Sequence, residues 1–305
     1  MKGIFSNCNG FADFKKYKFL SDLTKEKNLD FIVLSEIGCA SFPNAMLNNI
    51  CAGRDFIWHC MAPRGRSGGM LLGINPVVFD IGEIEEGVFF IRFKLRLTQE
   101  DYKFNLILVY GPAQQEQKSD FLAELVRICS KDSLPILIGG DFNIIRRPED
   151  NNNNNFHDRW PFLFNACIDT LNLREVELSG RKFTWANRLP NQTLERLYRV
   201  LFCTDLESKF PQTTLHALTR EISDHTPLLL NTNNSSSSYQ PQFKFELGWL
   251  TGEGFCDLVH EMWDSTIVNG FPLDRWQAKI RRLRQYLRGW QKILVEIIIR
   301  RNKYC

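Results

Sequence analysis

At 305 residues with 44% hydrophobic side chains, the chain is long enough for one large domain plus an extension, with a sizeable core. Its net charge of +3 is close to neutral, and pooled charge alone does not point to a nucleic-acid partner. Nine cysteines, an odd number with no Cys-x-x-Cys pair, suggest neither a zinc site nor a disulfide framework. No apolar run reaches membrane-spanning length, and the opening MKGIFSNCNG lacks the apolar core of a secretory signal, so an intracellular protein with no membrane partner is expected.

In chain order, Lys2 to Ser6 reads as a first strand running into the polar group Asn7, Cys8, Asn9 and Gly10. Phe14 to Lys27, with Phe19, Leu20 and Leu23 among lysines, reads as a surface helix. Leu29 to Ser35 reads as a buried strand that delivers Glu36. Leu47 to Asn75 holds a short helix and two strands, the second led by Gly68 and Gly69. Phe89, Ile91, Phe93 and Leu95 alternate with Phe90, Arg92, Lys94 and Arg96, the period of a half-exposed strand. Phe104 to Tyr110 is another strand, and Asp120 to Lys131 carries the apolar face of a helix.

The next stretch, LIGGDFNIIRR from Leu137 to Arg147, is the one the others are arranged around. Its apolar run fixes a strand, Gly139 and Gly140 suggest a tight turn, and Asp141 and Asn143 are left at the strand's end. A carboxylate and an amide there can serve a metal and a phosphate, though Gly-Asp and Asn are also ordinary turn chemistry. A polar loop follows from Pro148 to Asn155, then a helix from Arg159 to Leu171 and strands at Arg181–Trp185, Arg199–Cys203 and Thr214–Leu218. Ile222 to Pro227, containing Asp224 and His225, leads into a last strand, Leu228 to Leu230. Strands and helices interleave, which favours an α/β sandwich over an all-β fold.

Asn7, Glu36, Asp141 with Asn143, and Asp224 with His225 therefore lie in loops that such a sandwich gathers at one edge. Carboxylate and amide oxygens suit hard divalent cations, which need few protein ligands when water and phosphate complete the shell. A histidine nearby serves as general base or phosphate ligand. Taken singly, Glu36 is an ordinary strand-end carboxylate, Asn7, Asn143 and Asp224 are turn residues, His225 is a structural histidine, and Tyr110 and Trp185 are core aromatics.

The ordered blocks SNCNG, LSEIG, VYGP, GGDFN and SDHTP resemble the endonuclease/exonuclease/phosphatase superfamily. Within it, GGDFNIIRRPED, RWPFLFNA, LSGRKFTWAN and LTREISDHTPLLL look most similar to the endonuclease domain of plant non-LTR (LINE-type) retrotransposon polyproteins. The resemblance covers about residues 1–231 and implies a four-layer α-β-β-α sandwich, two packed mixed sheets flanked by helices, with the site at one edge. It also implies Mg²⁺-dependent hydrolysis of DNA phosphodiester bonds, with Mn²⁺ as the alternative ion, and a nuclear location. Carried over by position, Glu36 is the main metal ligand, with Asn7 and Asp224 helping to hold metal and water. Asp141 positions or deprotonates the water, Asn143 orients it, and His225 and Tyr110 contact the phosphate.

The departures imply an impaired enzyme. Tyr198 stands where the family has an Asp that orients the histidine, Ser6 replaces a Trp, Ser35 a Gln, and Ala113 an Asn. A catalytically inactive, nucleic-acid-binding relic is the main alternative, and a phosphatase or phosphodiesterase on another substrate is a further one.

Residues 232–242, rich in Asn and Ser, read as a linker, and 243–305 as a helical extension that stops before any reverse transcriptase. Asp274 to Cys305 holds ten Lys/Arg against two Asp/Glu, leaving 28 basic and 33 acidic residues in the preceding part. Trp276, Ile280, Leu283, Leu287, Trp290, Leu294 and Ile297 form a heptad seam on a helix. It suits packing within its own chain or self-association, while Arg281, Arg282, Arg284 and Arg288 beside it suit nucleic acid.

Overall fold

The structure, a computed structural model, describes residues 1–232 except 12, 65–67, 154–155, 188 and 222. It then describes 254–265 and, beyond these, residues 272, 276, 279–280, 282–283 and 286–287. The chain divides into two units, Met1–Ser235 and Ser236–Cys305.

The first unit begins with β1 (Lys2–Asn7), α1 (Phe14–Lys27) and β2 (Phe31–Ser35), in which the two strands pair in parallel across the helix. Asp13 starts α1 by accepting a hydrogen bond from the Lys15 amide (2.9 Å), and Asn28 ends it in the left-handed region (φ 54°). α2 (Asn44–Ile50) precedes the antiparallel pair β3 (Ile57–Met61) and β4 (Met70–Ile74). A meander of β5 (Phe79–Glu86), β6 (Phe90–Leu97) and β7 (Tyr102–Tyr110) follows, and α3 (Lys118–Cys129) crosses over to β8 (Ile136–Asp141), parallel to β7. Next come α4 (Arg159–Thr170) and the short strands β9 (Leu173–Glu175), β10 (Leu178–Ser179), β11 (Trp185–Ala186) and β12 (Leu194–Glu195). The unit closes with β13 (Tyr198–Cys203), α5 (Thr204–Lys209), β14 (Thr214–Ala217) and β15 (Leu228–Asn231).

Two mixed sheets result, ordered β10-β14-β15-β1-β2-β4-β3 and β5-β6-β7-β8-β13-β9, with β11 and β12 as a separate hairpin. Side-chain alternation explains why they stack. Phe5, Phe31, Val33, Leu72 and Leu228 face Phe93, Leu106, Leu108, Leu137 and Val200 in one core cluster. The opposite side chains of the larger sheet, Ile4, Ile32, Leu34 and Leu71, pack with Leu20 and Leu23 of α1 and Leu47 of α2. Ile107, Ile138 and Leu201 of the smaller sheet pack with Phe121 and Leu125 of α3 and Phe164 of α4. Three apolar seams separate helices, sheet, sheet and helices, the four-layer arrangement the resemblance implies.

Three local expectations differ. Gly139 and Gly140 lie inside β8, not in a turn. A Cβ on Gly139 would stand 2.5 Å from the Phe5 ring, so the bare backbone is what lets the two sheets close there. The strand expected to be half-exposed, now β6, carries Arg92 with no exposed surface, held by Glu85 (2.7 Å) and Asp132 (2.8 Å). The strand expected at Arg181–Trp185 shrinks to Trp185–Ala186, because this segment pairs with β12 and with His225 instead of joining a sheet.

In the second unit, α6 (Phe255–Asp264) packs Phe255, Leu258 and Val259 with Leu283 and Leu287. Trp276, Ile280, Leu283 and Leu287 are helical, and Trp290, Leu294 and Ile297 lie outside the described residues. Two positions of the heptad seam are thus engaged by α6, a use that competes with self-association. Arg282 is exposed, and Arg281, Arg284 and Arg288 lie outside the described residues.

Candidate active site

Parallel pairing of β1 with β2 and of β7 with β8 brings four strand ends to one edge of the sandwich. Asn7 is the last residue of β1, Tyr110 of β7 and Asp141 of β8, and Glu36 follows β2 directly. Glu36 adopts φ 53° and Asn143 φ 49°, left-handed conformations that cost a non-glycine residue about 1 kcal/mol or more. Surrounding bonds hold them there: the Glu36 carbonyl accepts from Gly10 N–H (2.7 Å), and Asn143 donates its amide to Asp141 Oδ1 (3.1 Å) and its side-chain NH₂ to Gly111 O (2.8 Å). Gly68 backs directly onto Glu36, where a Cβ would lie 2.7 Å from the Glu36 Cα.

The structure brings Glu36, Asp141 and His225 together, with one ligand atom from each all within 4.8 Å of one another. Asp141 is fully buried and His225 nearly so, and His225 Nδ1 lies 3.5 Å from Asp141 Oδ2. Tyr110 donates its hydroxyl to Glu36 Oε1 (2.9 Å). Asp141 Oδ2, His225 Nδ1 and Asn7 Nδ2 are buried without hydrogen-bond partners. Orphaned polar atoms of this kind are costly unless something binds among them. A divalent cation would satisfy the carboxylate oxygen, and a phosphate oxygen the amide donor.

Electrostatics also suit a cation at this cluster. Burial, reinforced by the charge of Glu36, pushes the Asp141 carboxyl up to about 8. Burial pulls His225 down to about 4, against the attraction of Asp224, so its imidazole is neutral near pH 7. Burial first, then the Glu36 charge, raises the Tyr110 phenol, which stays a hydrogen-bond donor.

Asp224 stands beside the cluster and not within it. Its Oδ1 accepts from Asn9 Nδ2 (3.2 Å) and its Oδ2 from Trp185 Nε1 (3.2 Å). Burial opposes its charge, yet His225 and these hydrogen bonds outweigh that and hold the carboxyl below its usual range. Asn9, Thr184 and Trp185 are the site-supporting residues that sequence reasoning missed. Thr184 accepts the amides of Leu197 and Tyr198 on its hydroxyl (2.9 and 3.0 Å) and that of Thr226 on its carbonyl (2.7 Å). It thereby stitches β13 to the Asp224–His225 segment. The only sequence signal was Thr184-Trp185 in the FTWAN block, where a core aromatic is the simpler reading.

Tyr198 is buried and lies opposite Asp141 in the β13–β8 register. Its ring meets the His225 ring edge-on at 5.5 Å, while its hydroxyl pairs with that of Ser35. It therefore supplies no charge to His225. Two of the four departures from the family pattern, Ser35 and Tyr198, are bonded to each other.

The model of the Endonuclease/Exonuclease/phosphatase family matches residues 4–225. No curated protein matches the sequence. Among solved structures, an AP endonuclease from Archaeoglobus fulgidus is similar, with a TM-score of 0.60 at 16% identity over 76% of this chain and 98% of that one. The endonuclease domain of TRAS1, a telomere-specific non-LTR retrotransposon, gives 0.58 at 12% identity over 75% and 97%. The TDP2 of D. rerio complexed with single strand DNA product gives 0.53 at 12% identity over 75% and 97%. At these identities the likenesses speak to the fold.

Proposed function

The chain belongs to the Endonuclease/Exonuclease/phosphatase family, and from that premise we propose that it is a Mg²⁺-dependent phosphodiesterase that nicks DNA, with impaired turnover. The observation that carries the reading is the convergence of Glu36, Asp141 and His225 within 4.8 Å around orphaned buried atoms. Glu36 and Asp141 are the residues that would hold the ion, which when bound supplies Lewis-acid stabilisation of the developing charge on phosphate and lowers the pKa of water. Asn7 Nδ2 and neutral His225 present polar atoms to a phosphoryl group in the same space. Tyr110 keeps the Glu36 carboxylate aimed inward. Asp141, its Oδ1 already taken by the Asn143 amide, would orient the attacking water beside that ion. Trp185 and Asn9 fix Asp224, the charge beside His225 that opposes the effect of burial on the imidazole.

The five sequence blocks and the likeness to a non-LTR retrotransposon endonuclease domain support DNA as substrate and a LINE-type origin, from which a nuclear location follows. Impairment follows from Tyr198, because the loss of a group that orients a site residue typically costs about 10-fold to 100-fold. The same residue favours a second reading, an inactive relic that binds nucleic acid without cutting it. Supercoiled plasmid with Mg²⁺ or Mn²⁺ separates the two. Slow nicking that Glu36→Ala abolishes supports the enzyme; no nicking with either ion, and no hydrolysis of bis(p-nitrophenyl) phosphate, refutes it. A panel of phosphomonoester and RNA substrates tests whether another ester is preferred.

A further inference from the structure

We propose that Lys16 is a positioning residue for the cluster: its ammonium gathers three consecutive carbonyls of the loop after β1, and that loop holds Asn7, Asp224 and the Glu36 backbone in place for the ion. The proposal rests on the phosphodiesterase reading and adds to it a residue that acts on the site only through this loop.

Lys16 Nζ donates to the carbonyls of Cys8 (2.6 Å), Asn9 (3.0 Å) and Gly10 (2.8 Å), which uses every N–H of an ammonium. Asn9 and Gly10 both adopt left-handed backbone (φ 44° and 79°), and this curl brings successive carbonyls to one point. The loop's amides face the other way. Cys8, Gly10 and Phe11 donate to the carbonyls of Ser35 (2.8 Å), Glu36 (2.7 Å) and Ile37 (2.8 Å). The loop is therefore a ribbon clamped along one edge to the segment that carries Glu36 and along the other to a side chain of α1. Its own side chains reach the site. The Asn9 amide donates to Asn7 Oδ1 (2.8 Å), which leaves the Asn7 NH₂ for the cluster, and Asn9 Nδ2 donates to Asp224 Oδ1 (3.2 Å).

Lys16 is poorly placed for its own helix. It lies in the first turn of α1, which holds no acidic residue, and there the helix dipole disfavours a cation. Lys15 and Lys18 are exposed, whereas Lys16 is half-buried against the loop. Three charge-assisted hydrogen bonds offset that placement, and without the ammonium three carbonyl dipoles converge with no donor between them. A guanidinium is no substitute, since its donors lie in a flat fork and not around one point.

The experiment uses the full chain as Lys16→Ala, a change that suits the helix and removes the disfavoured charge, so disorder in the loop cannot come from a weaker α1. Hydrogen exchange reads the loop with no metal present. Exchange at the Gly10 amide and at the Trp185 indole, which bonds Asp224, should quicken about tenfold or more, because local opening no longer breaks charged hydrogen bonds. Calorimetric titration should show Mn²⁺ bound about tenfold more weakly. Added n-propylammonium, which replaces the deleted atoms from Cγ to Nζ, should restore both. Tetramethylammonium, of equal charge but with no N–H, should restore neither. Tyr17→Phe is the control for a merely structural contact: it frees the next carbonyl, that of Phe11, and keeps its ring edge-on to Phe11 at 4.7 Å. That variant should match wild type in Gly10 exchange and Mn²⁺ affinity. Unchanged exchange in Lys16→Ala, quickened exchange with unchanged Mn²⁺ affinity, absence of rescue by n-propylammonium, equal rescue by tetramethylammonium, or equal effects in Tyr17→Phe each overturn the proposal. Exchange results as expected, in a wild type that binds no Mn²⁺ and hydrolyses no phosphodiester, would instead refute the phosphodiesterase and uphold Lys16 as the organiser of the loop.

Discussion

Gly68→Ala tests whether the site depends on how closely two backbones approach. The added Cβ would stand 2.7 Å from Glu36 Cα, 3.0 Å from its Cγ and 3.1 Å from its Cβ. Carbon atoms rest at about 3.5 Å or more, so Glu36 must recede by about 0.8 Å. It has little freedom to do so. Its backbone is already left-handed, its carbonyl is bound by Gly10 N–H, and Gly38 N–H bonds Gly68 O at 2.8 Å, tying the two segments together. Overpacking of this kind costs about 1–3 kcal/mol, which for a body of this size lowers Tm by about 2–12 °C. Moving Glu36, the proposed metal ligand, out of line should weaken divalent-ion binding about 10-fold to 100-fold. Calorimetric titration with Mn²⁺ and Mg²⁺, beside a thermal melt, reads both effects. Gly53→Ala is the control: its Cβ meets nothing within 4 Å, but its φ of +82° makes the substitution strained. That variant should lose Tm and keep its metal affinity. Wild-type affinity in Gly68→Ala, or an equal loss in Gly53→Ala, would refute the argument.

Tyr198→Asp should return a counter-charge to His225 yet cost about 3–5 kcal/mol, because it empties a ring-sized space in the inter-sheet core and strands the Ser35 hydroxyl; an unchanged melting temperature would contradict the packing described. In EDTA, stability should decline between pH 6.5 and 8, since folded Asp141 keeps its proton up to about 8 whereas the unfolded carboxyl releases it near 3.8. Between pH 4 and 6.5 His225 acts in the opposite sense, because its folded pKa of about 4 lies below the ordinary 6.5, so its contribution is lost as pH falls. Melts that are flat from pH 6.5 to 8 would count against a protonated Asp141. Metal affinity should rise with pH towards 8, by up to about tenfold per unit, as binding expels that proton. Arg199→Met should lower stability by about 3–5 kcal/mol, since it leaves buried Asp150 (2.6 Å) without its guanidinium and takes one of three from partly buried Glu175 (2.7 Å); a melt within a degree or two of wild type would sink this.

Strands whose apolar residues serve two buried faces were legible in the sequence, as at Phe31–Ser35 and Tyr102–Tyr110. So were the strand ends carrying Asn7, Glu36, Tyr110 and Asp141, because they follow such runs directly. β5 was not, since Phe79–Glu86 alternates weakly and is held by pairing with β6, including a register shift between Ile81 and Ile84. Arg92 read as an outward residue because its carboxylate partners come from β5 and from Asp132, beyond the reach of local periodicity. Trp185 and Asn9 escaped for the same reason: each acquires its role only by reaching Asp224, and Asn9 lies 215 residues from it. Tyr198 was visible as a missing carboxylate, but its partner Ser35, 163 residues away, was not.

The strand order carries a consequence for how the protein comes into being. β1 sits between β2 and β15, so the centre of the larger sheet is complete only when the last strand of the first unit docks. The cluster shares this dependence, drawing Glu36 from the start of the chain, Asp141 from its middle and His225 from just before β15. During vectorial synthesis the ribosome must release more than two hundred residues before the three groups can meet. Until then the growing polypeptide holds β1 with one edge unpaired and the cluster lacks His225. A site assembled in this order is complete only when the first unit is, at the expense of slow, long-range folding that exposes an apolar strand edge.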